Sequence, residues 1–405
     1  MHNSYKTKTP FLPNHLFPTI IILLASLVLL STIATALPPS INTNANTSNN
    51  GNAMTSPSSI QKVLVTGANG YLASHIVQTL LTKGYTVHAC VRDATNPASI
   101  RHLQTLPCVT PTNLKFFSTG DMADPSLRDR YVDPISDCDA VIHAASPLSP
   151  KLSGREFDGF RDVLNPGMEG TREVLDAILE KCRRHPSNPI RCLVLTSSMS
   201  AAAPIPEPSV KGESHWSDDE RQLARKNFYG CLKTRQERLC HEWTASRKET
   251  GEIPSDFRFA AICPTMIIGP PIVDRGDGSA KYTPSGTMGS FYKWLTGGRP
   301  TAPNDSMSFI DVRDCAAMHV VPLERDDVQG RYFSLVESWH WNDILTTLKE
   351  LYPKIPEFEL YDGEDKVTPT KFDLGRMHSL GVEVKGVRDV LRGAVDFFTE
   401  EGLLD

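Results

Sequence analysis

The sequence predicts an α/β protein organised on a doubly wound parallel sheet, and three observations predict it. A short apolar run, Lys62-Val-Leu-Val-Thr66, breaks into Gly67 and Gly70 and then into a helical pattern, the signature of strand, tight turn and helix. Further short apolar runs alternate with amphipathic helical stretches, as parallel strands joined by crossover helices do. Two later runs end in small or hydroxyl residues, Ala144-Ala-Ser146 and Thr196-Ser-Ser198, which leaves space for a ligand at one edge of the sheet. The full expectation is this sheet with a small C-terminal α+β lobe, preceded by an N-terminal apolar targeting or transmembrane helix and a disordered linker.

The chain has 405 residues, 40% apolar and 22% charged, which suffices for a large core and is ordinary for a globular protein. A net charge of −5, with no basic run and no aromatic platform, excludes nucleic acid as a partner. The nine cysteines are scattered without a Cys-x-x-Cys pair, and Cys90, Cys192 and Cys263 fall in or beside predicted buried strands. They read as reduced core thiols rather than disulfides or metal ligands, and no metal is expected.

Taken from the start, Phe17 to Leu37 is uncharged and rich in Ile and Leu, close to the roughly 20 residues that span a bilayer. Lys6 and Lys8 precede it and no charge follows until Lys62, which keeps the first residues cytosolic and sends the rest across a membrane. Ala34-Thr-Ala36 offers a cleavage site, so a retained signal anchor and a cleaved signal peptide both stand as readings. Residues 38–60 are dominated by Ser, Thr, Asn and Pro, and the first carboxylate is Asp93, so this stretch is a linker or a second targeting segment. The combination resembles the bipartite presequences of secondary plastids; the sequon Asn46-Thr-Ser48 suits a glycosylated lumenal linker instead. The expected location is therefore the membrane or secretory pathway, with a plastid as the alternative.

The glycine loop follows. Gly67 lets the chain turn sharply and Gly70 lets backbone N–H groups approach a pyrophosphate at the positive end of the helix, so Gly67, Asn69, Gly70, Tyr71 and Leu72 are candidate cofactor-binding residues. Thr86 to Val91 is the second strand. An acidic residue at its end would hold the ribose 2′-hydroxyl of NAD, whereas Arg92 accommodates the 2′-phosphate and favours NADP over NAD. Leu114 to Ser118 is a third strand leading to Gly120-Asp-Met122, which puts Asp121 at the adenine ring with Met122 as a further contact. A fourth strand from Asp139 passes Ala144, Ala145 and Ser146 under the nicotinamide ribose, and His143 on it reads as a packed, hydrogen-bonded residue rather than a catalyst. Asp162 to Cys182 has helical spacing, and Ile190 to Thr196 is the next strand.

That strand delivers Ser198 to the same sheet edge, and downstream Lys226-Asn-Phe-Tyr-Gly-Cys-Leu-Lys233 opens a helix with Tyr229 and Lys233 on one face. Hydride transfer to a carbonyl carbon puts negative charge on oxygen, which needs a proton donor within reach. Tyr229 is that donor, Lys233 is expected to favour its phenolate and to bond the nicotinamide ribose, and Ser198 to fix the carbonyl oxygen.

The segments Thr66-Gly-Ala-Asn-Gly-Tyr71 with Ala73, Val91-Arg92-Asp93, His143-Ala-Ala-Ser-Pro147, Asn165-Pro-Gly-Met-Glu-Gly-Thr171, Thr196-Ser-Ser198, Glu213-Ser-His-Trp-Ser-Asp218 and the Tyr229/Lys233 pair form one set over residues 61–400. Together they resemble an extended short-chain dehydrogenase/reductase of the NAD-dependent epimerase/dehydratase superfamily, closest to the dihydroflavonol reductase and cinnamoyl-CoA reductase group. The resemblance implies a Rossmann-type fold, a catalytic triad of Ser198, Tyr229 and Lys233 with Asn165 as a fourth candidate, and Arg92 on the NADP phosphate. It also implies that Pro264, Thr265 and Ile267, after the strand Phe257 to Cys263, border the nicotinamide. The implied reaction is NADPH-dependent reduction of a small-molecule carbonyl to an alcohol. Around the tyrosine the cinnamoyl-CoA reductases are similar to Lys-Asn-Trp-Tyr-Cys-Tyr-Gly-Lys, whereas here Phe228 precedes it and Gly230-Cys-Leu232 follows. After Ser198 the run Met199-Ser-Ala-Ala-Ala203 lacks the Ala-Gly-Thr of dihydroflavonol reductases. These departures give no support to a CoA thioester or a flavonoid as substrate.

Beyond residue 265, Asp274 to Gly289 reads as a mobile loop over the site, and Phe309 to Asp314 as the start of a helix with Asp314 near its cap. Asp311, Asp314 and His319 are assigned structural roles. A strand at Gly330 to Leu335 and helices at Asn342 to Tyr352 and Val387 to Phe398 complete a C-terminal lobe. The domain division is then a signal anchor or signal peptide over 1–37, a linker or transit segment over 38–60, an NADP-binding domain with the catalytic residues over 61–265 and a substrate lobe with returning elements over 266–405. Rival readings are an NAD-dependent sugar-nucleotide epimerase or dehydratase, a sterol-type dehydrogenase, and a non-catalytic membrane-tethered cofactor-binding module. Arg92 argues against the first, the N-terminal rather than C-terminal place of the apolar segment against the second, and the intact Ser, Tyr and Lys against the third.

Overall fold

The structure is a computed structural model that describes residues 60–124, 126–147, 155–274 and 282–405. The expected targeting helix over 1–37 and nearly all of the linker over 38–60 lie outside the described residues, among which no helix is long and apolar enough to cross a membrane. The chain parts into two units between Ala53 and Met54, and the described residues lie in the second.

Ten strands are described: β1 (Lys62–Thr66), β2 (Thr86–Val91), β3 (Leu114–Ser118), β4 (Ala140–His143), β5 (Cys192–Thr196), β6 (Arg258–Pro264), β7 (Met266–Ile268), β8 (Ser306–Asp311), β9 (Gly330–Ser334) and β10 (Ser338–His340). Seven form a parallel sheet in the order β3-β2-β1-β4-β5-β6-β9, and β10-β8-β7 form a second, mixed sheet. The helices are α1 (Tyr71–Thr82), α2 (Pro97–Gln104), α3 (Val132–Ile135), α4 (Asn165–Arg184), α5 (Asp219–Ala224), α6 (Phe228–Glu249), α7 (Gly286–Leu295), α8 (Val312–Glu324), α9 (Trp341–Leu351), α10 (Gly375–Ser379) and α11 (Val387–Glu400).

The main sheet is parallel because each of its central strands is apolar on both faces and so needs helices on both. In β1, Val63 and Val65 join Ile76 and Val77 of α1 and Val320 of α8 in one core layer. Leu64, pointing the other way, joins Val174 and Ile178 of α4 in the opposite layer. A third core joins the small sheet to α7, α9 and α11 through Phe291, Phe309, Trp341, Leu345, Val390 and Phe398, with Trp294 and Trp341 stacked at 4.4 Å. All nine cysteines are free thiols and all but Cys108 are buried.

Several boundaries differ from the sequence expectation. The strand at Gly330 does not belong to the C-terminal lobe; it pairs in parallel with β6 as the edge of the main sheet. Phe309 to Asp311 is the end of β8, and Asp311 rather than Asp314 caps α8, its Oδ1 accepting the Arg313 N–H at 2.8 Å. Asp314 instead takes Lys385, at 2.6 Å from Nζ. Gly286 to Gly289 belongs to α7 rather than to a loop, and residues 275–281 lie outside the described residues. The crossover helix starts at Asn165 after a π-turn at Phe160–Leu164, where the buried Asp162 carboxylate takes Arg155 and Arg161.

Candidate active site

Parallel strands all end at one edge, so the loops after β1, β2, β4, β5 and β6 meet there around a cleft of about 460 Å³. At one end the glycine loop turns through Gly67 at φ +62, where a Cβ would stand 3.0 Å from the Ala145 Cα. Only glycine gives both the left-handed backbone and the close approach of β1 to the chain after β4. The Gly70 N–H donates to the Gly67 carbonyl at 2.8 Å, and α1 begins with no side-chain cap and no acidic residue in its first turn. Its first N–H groups are therefore left for an anion. The Tyr71 hydroxyl ties the loop to the Gly269 carbonyl at 2.7 Å.

Thr66 fixes the facing loop. Its hydroxyl oxygen accepts the N–H groups of Ala144 and Ala145, at 3.1 and 3.0 Å, so its own proton goes to His143 Nδ1 at 2.8 Å. His143 Nε2–H then donates to the Thr171 hydroxyl at 3.2 Å, and Thr171 to the Gly167 carbonyl at 2.9 Å. His143 is thus neutral and structural, its imidazole pushed down to about 3 by burial and by Lys233.

Gly67, Asn69, Gly70, Tyr71, Leu72, Arg92, Met122, Ala144, Ala145, Ser146, Ser198, Tyr229, Lys233, Pro264, Thr265 and Ile267 all line this cleft, so the residues singled out in the sequence are brought together with two exceptions. Asp121 is not among the lining residues; its carboxylate closes a turn by accepting the Ala123 N–H at 2.9 Å, and Met122 lines the cleft instead. Asn165 is exposed at the start of α4 and does not line the cleft. The sequence reading missed Thr119, Arg130 and Thr287, which line it from the end of β3, the loop before α3 and the first turn of α7. Thr119 had a usable signal in its place at a strand end; Thr287 had none.

At the far end, Tyr229 is half-buried in the first turn of α6 beside Ser198, whose Oγ accepts the Ser200 N–H at 3.1 Å and donates to Ser200 Oγ at 3.2 Å. Lys233, one turn on and 2% exposed, donates to the Thr196 carbonyl at 2.9 Å. Thr196 in turn donates its hydroxyl proton to His319 Nε2 at 2.9 Å, since His319 Nδ1 is used on the Cys315 carbonyl. Burial pushes the phenol above its ordinary value, and Lys233 Nζ lies 5.8 Å from the Tyr229 ring centre. Burial likewise brings Lys233 down to about 8.

The cleft also holds polar atoms without partners: Ser146 Oγ and Thr265 Oγ1 are buried and unbonded. Arg92, half exposed at the end of β2, has its nearest carboxylate, Asp121, at 3.9 Å. Asp93 beside it is turned away, accepting the N–H and hydroxyl of Thr95.

The chain was compared with known proteins. The pattern of the NAD dependent epimerase/dehydratase family matches residues 63–335. Cinnamoyl-CoA reductase 1 of Oryza sativa subsp. japonica is 30% identical over 371 residues, covering 90% of this chain and 96% of that protein. The bifunctional dihydroflavonol 4-reductase/flavanone 4-reductase of Malus domestica is 28% identical over 85% of this chain and 92% of its own. Among solved structures, yeast methylglyoxal/isovaleraldehyde reductase complexed with NADPH superposes with a TM-score of 0.68 at 21% identity, over 84% of this chain and 99% of that one.

Proposed function

The chain belongs to the NAD dependent epimerase/dehydratase family, and we propose that it is an NADPH-dependent reductase that converts an aldehyde or ketone to the alcohol. The observation that carries this reading is the meeting of Ser198, Tyr229 and Lys233 at one end of a cleft whose other end is the Gly67–Gly70 loop and the uncapped start of α1. The names of the relatives support it, each being a reductase of a carbonyl compound.

The residues fit a dinucleotide. The glycine loop is a cradle that a Cβ at Gly67 would fill, and the orphaned hydroxyls of Ser146 and Thr265 need partners. The uncapped amides of α1 would take the pyrophosphate, and Arg92, with its closest carboxylate at 3.9 Å, would take the 2′-phosphate that distinguishes NADP from NAD. NADPH bound there supplies the hydride. Ser198 and Tyr229 then hold the carbonyl oxygen between two hydroxyls, and Tyr229, a phenol protonated at neutral pH and with its pKa raised further by burial, gives that oxygen its proton. Lys233 fixes the floor of the site through the Thr196 carbonyl.

Tyr229→Phe removes the proton donor and nothing else of size. NADPH consumption with a panel of aldehydes and ketones should fall by about 10²-fold or more, the range of general acid catalysis. NADPH affinity, read by fluorescence titration, should stay within about twofold of wild type, since the variant removes an interaction made in the transition state. Undiminished turnover in the variant would overturn the proposal.

A further inference from the structure

Behind Ser198 lies a buried charge pair that the reaction above does not use. Glu237, on α6 one turn beyond Lys233, is wholly buried. Its Oε1 accepts Arg331 Nε of β9 at 2.6 Å, and its Oε2 accepts the Ser197 hydroxyl at 2.6 Å and the Cys263 thiol at 3.6 Å. Arg331, with a side chain 3% exposed, spends Nη1 on the carbonyls of Glu213 and His215, and its guanidinium lies 3.8 Å over the Trp216 ring. Such a pair contributes little to net stability, because apolar residues of the same volume serve a core as well or better. What it adds is direction. Ser198, just beyond β5, is in extended backbone at φ −162 and ψ 153, where successive side chains point to opposite sides. Pinning Ser197 rearward onto Glu237 turns Ser198 forward into the cleft.

We propose that Glu237 is the positioning residue of this site, aiming Ser198 at Tyr229 by holding Ser197 against Arg331 and setting a fixed negative charge one helical turn from Lys233. The inference rests on the reductase reading for its catalytic consequence but not for its electrostatic one. The groups facing Lys233 are Tyr229, Glu237 and Cys240 from α6, Cys263 from β6, His143 from β4 and His319 from α8. Both imidazoles are held neutral by burial and both thiols protonated, which leaves Glu237 as the one charged neighbour in that set.

The test is Glu237→Gln, which keeps the shape and removes the charge, beside Ser197→Ala, which leaves the ion pair whole. Both variants should lower kcat by about tenfold while KM for the carbonyl and the Kd of NADPH stay within about twofold, the mark of an interaction felt in the transition state. Lys233, followed by NMR of lysines labelled with ¹³C beside the amine, should titrate lower in Glu237→Gln and unchanged in Ser197→Ala. A kcat within about twofold of wild type in either folded variant overturns the proposal, and if Glu237→Gln does not fold, Ser197→Ala decides. Should the wild type bind NADPH yet reduce no carbonyl, the reductase reading fails by itself; an unmoved Lys233 titration in Glu237→Gln would then overturn the inference.

Discussion

Three histidines show how single residues tie this fold to pH. His143, His75 and His319 are nearly or fully buried and are pushed down to about 3, 4 and 4, in each case chiefly by loss of water. Each stays neutral in the fold while an unfolded histidine protonates near 6.5, so below that pH the unfolded chain binds more protons. Their stabilisation is therefore complete above pH 6.5 and is lost as the pH falls toward about 4. Three protons correspond to a slope of about 4 kcal/mol per pH unit at the steepest point. Urea midpoints measured from pH 7.5 to 5 should fall accordingly, and His143→Gln should reduce the slope by about a third. A midpoint independent of pH in this window would contradict the assignment of three neutral buried imidazoles. Lys233 carries the same sign in a higher window: lowered from 10.5 to about 8, it burdens the fold at neutral pH, and the fold gains stability as the pH rises above 8.

At the scale of the element, α6 carries the chemistry, and its first turn depends on a cap. Asn227 accepts the Gly230 N–H at 3.0 Å, and a Cβ at position 230 would stand 2.6 Å from the Asn227 side chain. The glycine that departs from the cinnamoyl-CoA reductase pattern thus makes room for the cap that orders Tyr229. Asn227→Ala should cost about 1 kcal/mol of stability and lower kcat further than that loss alone explains, because fraying begins at the turn holding the proton donor. A variant destabilised by that amount with full kcat would separate the cap from the site.

The same helix marks the limit of sequence reading. Tyr229 and Lys233 are legible because their relation is local, four residues on one face, and the glycine loop and Arg92 are legible because strand ends are local too. Glu237 is not: its partner Arg331 is 94 positions away, and only the pairing of β9 beside β6 brings them together. The place of β9 was missed for the same reason, since five half-apolar residues carry no mark of which sheet they join. The turn bond of Asp121 was not legible either, because a carboxylate there can satisfy itself on its own backbone.

Across the whole molecule, the parallel sheet explains why one site collects most of its residues, from Gly67 to Thr265: every strand of that sheet ends on the same edge. The edge is also braced from outside, since His75 Nε2–H donates to the Pro270 carbonyl at 3.0 Å and Tyr71 to that of Gly269. These bonds tie α1 and the glycine loop to the turn that leads into the small lobe. A cleft built this way holds a dinucleotide against the proton donor, and the central claim is that a hydride crosses there to a carbonyl. The most direct measurement follows that hydrogen, using NADPH deuterated at the transferable position and a panel of aldehydes and ketones, with the alcohol read by mass spectrometry and NMR. The account predicts a single deuterium on the carbinol carbon and one NADP⁺ released per alcohol formed. Alcohol without the label, or a product formed with no net consumption of NADPH, would contradict it.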